Sequence, residues 1–395
     1  VSILNGVKVI DFTQAYPGPF CTLQLADFGA EVIKIERKGI GDISRYWEPM
    51  VNDESGYYAS INRNKYSLEI DFKSDKGYET IMEIIKEADI IVESSKPGTM
   101  EKLGLGYEDI IKVNPEIIYA SVSGYGQTGP MKSYPAFDNV IQAMSGIMDM
   151  TGFPEMPPVK AGPAIADSMA GLNTTIGILM AYIDKLNTGK GQRIDVAMLD
   201  SMVSILESPI LFNSMLGQEV TRCGNNDAAT LVPYDVYECS DGYFSVGLAG
   251  EKGWDKFCQV MDRAELIEDP KFATNALRCK NFLELDPILR DFMSTRTKSE
   301  LEEAFSEVKI SNAPVMSVEE IMNHKQISDR EMLVEIDDKT IGKYRAVGNP
   351  MKLDRTPAQI AKGASRLGED NNHVLKKHGF TDTEIEELKE NKVIS

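Results

Sequence analysis

The chain is poor in the residues that build metal sites and disulfide frameworks, with 3 histidines and 5 cysteines among 395 residues. The cysteines (Cys21, Cys223, Cys239, Cys258 and Cys279) are odd in number, scattered and without a C-x-x-C pair. That argues against a disulfide scaffold and a zinc site, and fits a reducing, cytoplasmic setting. The histidines (His324, His373 and His378) all fall in the last fifth of the chain, and no H-E-x-x-H pattern occurs, so the chemistry is expected to run without a metal. No apolar run approaches the roughly 20 residues that span a bilayer. The first residues, Val1 to Gly6, show no basic stretch followed by an apolar one, so no signal peptide is expected either. Positive charge is also short. Against 61 Asp and Glu stand 42 Lys and Arg, a net charge of −19, which opposes binding to nucleic acid or an anionic membrane. A polyanionic ligand would need a local basic patch.

What is present is an ordinary globular composition, 42% apolar and 26% charged, in a length that suits two or three domains. The first half alternates strand-like and helix-like segments. Val7–Phe12, Val32–Ile35, Ile90–Val92 and Ile117–Val122 read as buried strands. Between them lie helical patterns, one from Phe20 toward Gly29 and one capped by Ser74. Such alternation predicts an α/β domain with a mostly parallel, Rossmann-like sheet, whose ligands bind beyond the carboxyl ends of the strands. Thr174–Asp184 is apolar all round and predicts a buried helix. Arg193–Ala197 follows as a strand and Leu199–Leu216 as a helix. Cys223–Ala229 reads as a linker, Tyr234–Leu248 as a hairpin, Met332–Glu335 as a strand, and Thr381–Asn391 as a helix capped by Thr381. The expected organisation is a large domain over 1–222, a smaller α+β domain over 223–325, and a C-terminal segment, 326–395, returning to the large domain.

The segment from Gly162 to Leu172 carries the strongest chemical signal. It sets one carboxylate, Asp167, between a Gly-Pro loop and a long apolar helix. A lone Asp there is usually a helix cap. Small neighbours (Ala164, Ala166, Ser168, Ala170, Gly171) would instead let a large ligand approach a carboxylate, which is a competent covalent nucleophile. Four further loops follow strands. Tyr16-Pro17-Gly18-Pro19 is a plain turn or a ligand loop; no G-x-G-x-x-G follows that first strand, so the dinucleotide fingerprint is missing. Arg37-Lys38 is a solvated edge or a phosphate grip. Ser94-Ser95-Lys96-Pro97-Gly98 through Lys102 is a polar loop or a phosphate site. Gly124-Tyr125-Gly126 through Gly129 supplies tight turns or close backbone approach to a ligand. Met198 and Met202 suit an apolar acyl pocket or simply core.

Taken together, these blocks resemble the class III CoA-transferases, the family of formyl-CoA transferase and carnitine CoA-transferase, over nearly the whole chain. The marks include Leu4-x-Gly6-Val7-x-Val9-x-Asp11-Phe12, Asp27-x-Gly29-Ala30-Glu31-Val32-Ile33-Lys34-Ile35-Glu36, Pro97-Gly98-Thr99-Met100-x-x-Leu103-Gly104, the Gly124–Pro130 loop, the Asp167 segment and Gly189-x-Gly191-Gln192-x-Ile194-Asp195. The resemblance implies a transferase with no permanently bound cofactor. Its substrates would be a coenzyme A thioester and a free carboxylic acid, and Asp167 would pass through an acyl anhydride and an aspartyl-CoA thioester. It implies an interlocked homodimer, with the acyl site where the large domain of one subunit meets the small domain of the other. It places Arg37, Lys73 and Lys102 as basic CoA contacts, beside Ser94, Ser95, Gly124 and Gly126. Ser94-Ser95 replaces an Asn-Phe pair common in the family, and Tyr16 replaces a glutamine of formyl-CoA transferase. The glycine-rich flap of that enzyme has no clear counterpart, although Gly247–Gly253 could serve. Ser94-Ser95 argues against adenine stacking at that place, while Tyr16 and the missing flap argue against oxalate and for a different, larger acid. Phe137 stands where related acyl-CoA racemases carry a histidine of their acid/base pair, just before Asp138. Transfer is therefore preferred to racemisation or isomerisation with Asp167 as base, and to a non-catalytic CoA-binding protein; Tyr16 and Phe137 are the substrate-side candidates.

Overall fold

The computed structural model describes residues 2–226 and 230–395. Residues 227–229 of the expected linker lie outside the described residues. The chain divides into two compact units, one of residues 1–147, 160–216 and 326–395, the other of residues 148–159 and 217–325.

The first unit is built on strands rich in β-branched residues, which suit a pleated surface buried on both faces. In chain order these are β1 (Lys8–Phe12), β2 (Glu31–Arg37), the two-residue strands β3 (Met50–Val51) and β4 (Glu54–Ser55), β5 (Tyr66–Ile70), β6 (Ile90–Glu93), β7 (Ile118–Ser123) and β8 (Arg193–Ala197). Six of them form one sheet in the order β5-β2-β1-β6-β7-β8. Every neighbouring pair is parallel, so the carboxyl ends of all six share one edge. Alternate residues face opposite layers. Ile10, Ile33, Leu68 and Ile91 pack with Ile81, Ile84 and the C-terminal Leu375, Leu388 and Ile394. Val9, Val32, Ile90 and Ile118 pack with Cys21, Leu25 and Ile178 on the other side. The mixed α/β architecture with a parallel sheet is the one the sequence predicts.

The helices of this unit that matter for the site are α1 (Pro17–Asp27), α2 (Gly56–Asn62), α3 (Asp75–Ile85), α4 (Asp138–Met144), α5 (Ile165–Thr188), α6 (Met198–Val203) and α7 (Glu207–Leu216). Two expectations need correction. The run Thr174–Asp184 belongs to α5, but α5 is not buried all round. Ala170, Thr174, Ile178 and Ala181 face inward, whereas Ile176, Met180 and Ile183 are exposed, Met180 at 66%. One stripe suffices to cover the sheet, and the remaining apolar side chains stay exposed among the described residues. The expected single helix over Leu199–Leu216 is two, because Pro209 lacks the N–H of a continuous helix and its ring would meet the Ile205 carbonyl. Beyond β12 (Leu333–Asp338), the sequence missed β13 (Gly342–Val347), its antiparallel partner.

The second unit holds the expected hairpin, β9 (Tyr234–Cys239) and β10 (Gly242–Gly247), extended by β11 (Ser311–Pro314) on the other side of β10. Its core is aromatic, with Phe244, Phe257, Phe292 and Phe305 packed among Leu285, Leu289 and Leu301.

Candidate active site

Asp167 is the third residue of α5. The helix starts from Ala164, which has no side chain to cap it. The missing acceptor comes from α4. Asp138 Oδ1 accepts the N–H of Ala166 at 2.8 Å and that of Asp167 at 3.4 Å. Gln142, one turn along α4, donates Nε2 to Asp138 Oδ2 at 2.5 Å, while its Oε1 accepts the Ala161 N–H at 2.8 Å. The helix cap is therefore Asp138, and the Asp167 carboxylate is left without a protein hydrogen-bond partner among the described residues. Burial, and then the negative charge of Asp138, raise its pKa to about 7, since both disfavour the ionised form.

The small residues around Asp167 have a packing reason. Ala166 and Ala170 join Val122, Ile141, Met198 and Met202 in a buried cluster under the first turns of α5. A Cβ on Gly171 would lie 2.7 Å from the Pro17 carbonyl of α1. Smallness lets α1 and α5 approach, and Met198 and Met202 are core rather than pocket.

Tyr16, just before α1, comes beside this turn, its hydroxyl 3.4 Å from Ser168 Oγ. Tyr16 stacks on Phe20 at 5.3 Å between centroids and lies 6.2 Å from Tyr57, which meets Trp47 edge-on at 5.1 Å. Burial raises the pKa of Tyr16 and Tyr57, and the charge of Asp167 adds to both. Tyr57 and Trp47 had no signal in the sequence; the loop before α2 and the start of α2 deliver them. Phe137, next to Asp138, is 72% exposed.

The turn carrying Tyr16 rests on buried ions. Lys34 Nζ donates to the Thr13 carbonyl at 2.8 Å and pairs with Asp42 at 2.9 Å. Asp11 Oδ1 accepts the Thr13 N–H at 2.8 Å, Asp42 Oδ1 accepts that of Ala15 at 3.0 Å, and Ser94 Oγ accepts that of Gln14 at 2.9 Å. Ala15 has φ +64, a left-handed conformation that a non-glycine residue keeps only when its surroundings hold it. Burial alone would raise the pKa of Asp11, but Lys34 and Lys65 outweigh it and hold the carboxyl below the usual range.

The cations named from the sequence share the carboxyl edge of the sheet. Arg37 ends β2, Lys73 follows β5, and Lys96 and Lys102 follow β6. All four are exposed, and no acidic side chain pairs with them among the described residues. Lys38 differs, because its Nζ donates to the carbonyls of Lys392 and Ile394 at 2.8 and 2.7 Å and anchors the C-terminal tail. Ser94 ties its loop to Gln14, and the Ser95 N–H donates to buried Glu93 at 2.7 Å. Gly124 is small because a Cβ there would lie 2.2 Å from that of Ala136, and Gly126 has φ +82. Both glycines thus answer to the shape of the loop, which Asp195 on β8 fastens by accepting the Gln127 N–H. In the second unit, Gly250 and Gly253 have positive φ at the end of the hairpin. A cavity of about 330 Å³ lies there, lined among others by Tyr234, Asp235, Ser245 and Asn312.

Among the described residues, one carboxylate without a hydrogen-bond partner thus lies by Tyr16 and Tyr57, and the carboxyl edge of the sheet carries four exposed cations that no acidic side chain pairs with. The chain belongs to CoA-transferase family III, whose family model matches residues 4–371. It is 37% identical over 374 residues to the succinyl-CoA:glutarate CoA-transferase of Homo sapiens, covering 94% of this chain and 85% of that protein. To the succinyl-CoA:mesaconate CoA-transferase of Haloarcula hispanica it is 36% identical over 386 residues, covering 95% and 96%. Among solved structures, a CaiB/BaiF family protein from Brucella suis superposes with a TM-score of 0.85 at 31% identity, covering 95% of this chain and 99% of that one. The protein is a CoA-transferase that uses CoA thioesters as substrates. Among the described residues no helix is long and apolar enough to cross a membrane.

Proposed function

We propose that the protein moves CoA between an acyl-CoA and a free carboxylic acid, with Asp167 as nucleophile. The observation that carries this reading is the Asp167 carboxylate itself, in the first turn of α5 without a hydrogen-bond partner among the described residues and raised in basicity by burial and Asp138. The ionised carboxylate attacks the thioester carbonyl, the C–S bond breaks, and CoA leaves as thiolate from a mixed anhydride. The thiolate then attacks the aspartyl carbonyl and releases the donor acid, leaving an aspartyl-CoA thioester. The acceptor carboxylate attacks that thioester, CoA leaves again, and its attack on the acceptor's carbonyl frees Asp167. Acyl activation is conserved throughout and no proton has to move. A higher pKa makes Asp167 the better nucleophile. The Tyr16 hydroxyl, beside the first turn of α5, donates to the oxyanion, and the rings of Tyr16, Phe20 and Tyr57 keep water away from the anhydride.

The cations Arg37, Lys73, Lys96 and Lys102 serve the phosphates of CoA, with Ser94, Ser95 and the Gly124–Gly126 loop along the same edge; Tyr16 and Phe137 face the acyl group or the acid. The named relatives act with succinyl-CoA and with glutarate or mesaconate, so short dicarboxylic acids are the first acids to test. The exposed apolar stripe of α5, together with exposed Leu211, Met215 and Leu216 of α7, is covered by a second copy of the chain, and sedimentation should report a dimer. Mass spectrometry after incubation with succinyl-CoA and hydroxylamine or borohydride trapping tests the chemistry. A modification confined to Asp167 is expected, and a fully active enzyme without one would overturn the mechanism.

A further inference from the structure

The N–H groups of the first helical turn need acceptors, and the N-cap side chain normally supplies one. In α5 that position is Ala164 and supplies nothing. The acceptor is borrowed from Asp138, which with Gln142 forms a pair four residues apart on α4. Gln142 is fully buried, and its amide is used at both ends, donating to Asp138 and accepting from Ala161. The two side chains thus hold both ends of the loop that leads into Asp167. They also fix a negative charge that acts on Asp167.

That charge has a consequence for a nucleophile which cycles between two charge states. Free Asp167 reacts as the anion, and that form is repelled by Asp138. Acylated or thioesterified Asp167 is neutral, and the repulsion is gone. A cap made from a neutral hydroxyl would hold the helix equally well without this bias. Resting on the transfer reading above, we propose that Asp138 and Gln142 are positioning residues that clamp the Ala161–Asp167 segment and, through the Asp138 charge, tilt Asp167 from free carboxylate toward its covalently loaded forms. Tyr16 and Tyr57 are the titratable groups that feel the Asp167 charge. Burial raises both phenols, so they stay neutral near pH 7 and leave Asp138 as the fixed charge.

The test compares the parental enzyme with Asp138→Asn and with the double variant Asp138→Asn/Gln142→Glu. In the double variant the new amide accepts from Ala166 and donates to the new carboxylate, which still accepts from Ala161. The hydrogen bonds are kept while the charge moves one turn along α4, so this variant serves if the single one fails to fold. Three readouts apply: the fraction of enzyme trapped as an Asp167 adduct at fixed succinyl-CoA, kcat against KM, and the Asp167 titration by carbon NMR of labelled aspartate. Relief of one pKa unit of repulsion corresponds to about a tenfold change in equilibrium. Asp138→Asn should therefore show an adduct-to-free ratio and a kcat lower by about tenfold, an unchanged KM for the acyl-CoA, and an Asp167 titration moved to lower pH, and the double variant, which keeps a charge one turn away, the same changes to a smaller extent. Parental adduct yield and an unmoved titration in the folded double variant would overturn the proposal. If the parental enzyme itself gives no Asp167 adduct, the transfer mechanism fails instead, and the titration still decides whether Asp138 acts on Asp167.

Discussion

Two helices of the first unit begin with an acid at the same place and use it in opposite ways. The helix Asp382–Glu390 starts from Thr381, and its third residue is Glu384. Thr381 Oγ1 accepts the Glu384 N–H at 3.3 Å, and Glu384 reaches back to accept the Thr381 N–H at 2.7 Å, a reciprocal cap. That bonding lowers the Glu384 pKa. In α5 the third residue is Asp167, one methylene shorter, after an N-cap that offers no hydroxyl. No described residue bonds its carboxylate, Asp138 takes the N–H groups it might have served, and its pKa rises to about 7. An acid in the first helical turn is stabilised by the dipole and by free N–H groups. Where another side chain pre-empts those groups and burial is added, the same position holds a carboxylate in a high-energy state, which suits reaction rather than capping.

The largest contrast lies in turnover. Asp167→Ala should abolish transfer, a loss of about a thousandfold or more as for other covalent nucleophiles, while CoA still binds by calorimetry. Glu384→Gln should leave the rate unchanged within error and only lower the melting temperature. An Asp167→Ala enzyme with parental turnover would make the two acids equivalent after all. The next contrast lies in pH. The folded-state pKa of Asp167 lies above the unfolded value of 3.8, so the native state holds its proton more tightly. Stability from this group is full below about pH 4 and is lost as pH rises toward 7. Glu384 has the opposite sign, since its contribution is present above the unfolded carboxylate pKa and is lost as pH falls through its lowered value. Asp167→Asn should therefore be more stable than the parent at pH 8, by about 1–3 kcal/mol, with the difference vanishing near pH 4 in urea titrations. Glu384→Gln should be less stable at pH 8 and converge with the parent in acid.

Much of this architecture is legible in the sequence because the strands are short β-branched runs ended by Gly, Pro or charge, and because Ser74 and Thr381 announce their helices. Asp167 stands out as one acid set between a Gly-Pro loop and a long apolar helix. What the sequence hides is whatever depends on a distant neighbour. The exposed stripe of α5 has the hydropathy of a buried helix, and hydropathy does not say what covers it. Ala170 and Gly171 look like room for a ligand, yet they are room for α1. Lys38 looks like a partner for Arg37 and is spent on the C-terminal carbonyls. Trp47 reaches the site from the loop before α2 and Tyr57 from its first turn, with no period or motif to announce them. Asp138 and Gln142 sit four apart on a short helix, a common spacing, and only the fold shows that they meet residues 161–167.

The smallest contrast asks whether the cap residue or the backbone around it makes the difference between the two helix starts. Thr381 has ψ 159, the extended geometry in which an N-cap side chain points at the first turn, whereas Ala164 has ψ 73 at nearly the same φ. A hydroxyl placed on Ala164 would be turned away from the N–H groups that Asp138 already occupies. Thr381→Ala should then cost about 1 kcal/mol, while Ala164→Ser changes stability by less than about 0.5 kcal/mol, the range of substitutions that touch no such feature. Chemical denaturation of the two variants side by side reads both values. A gain at Ala164→Ser as large as the loss at Thr381→Ala would mean that the start of α5 relaxes into an ordinary cap. Asp138 would then be dispensable for holding the helix, leaving its charge as the only thing it supplies to Asp167.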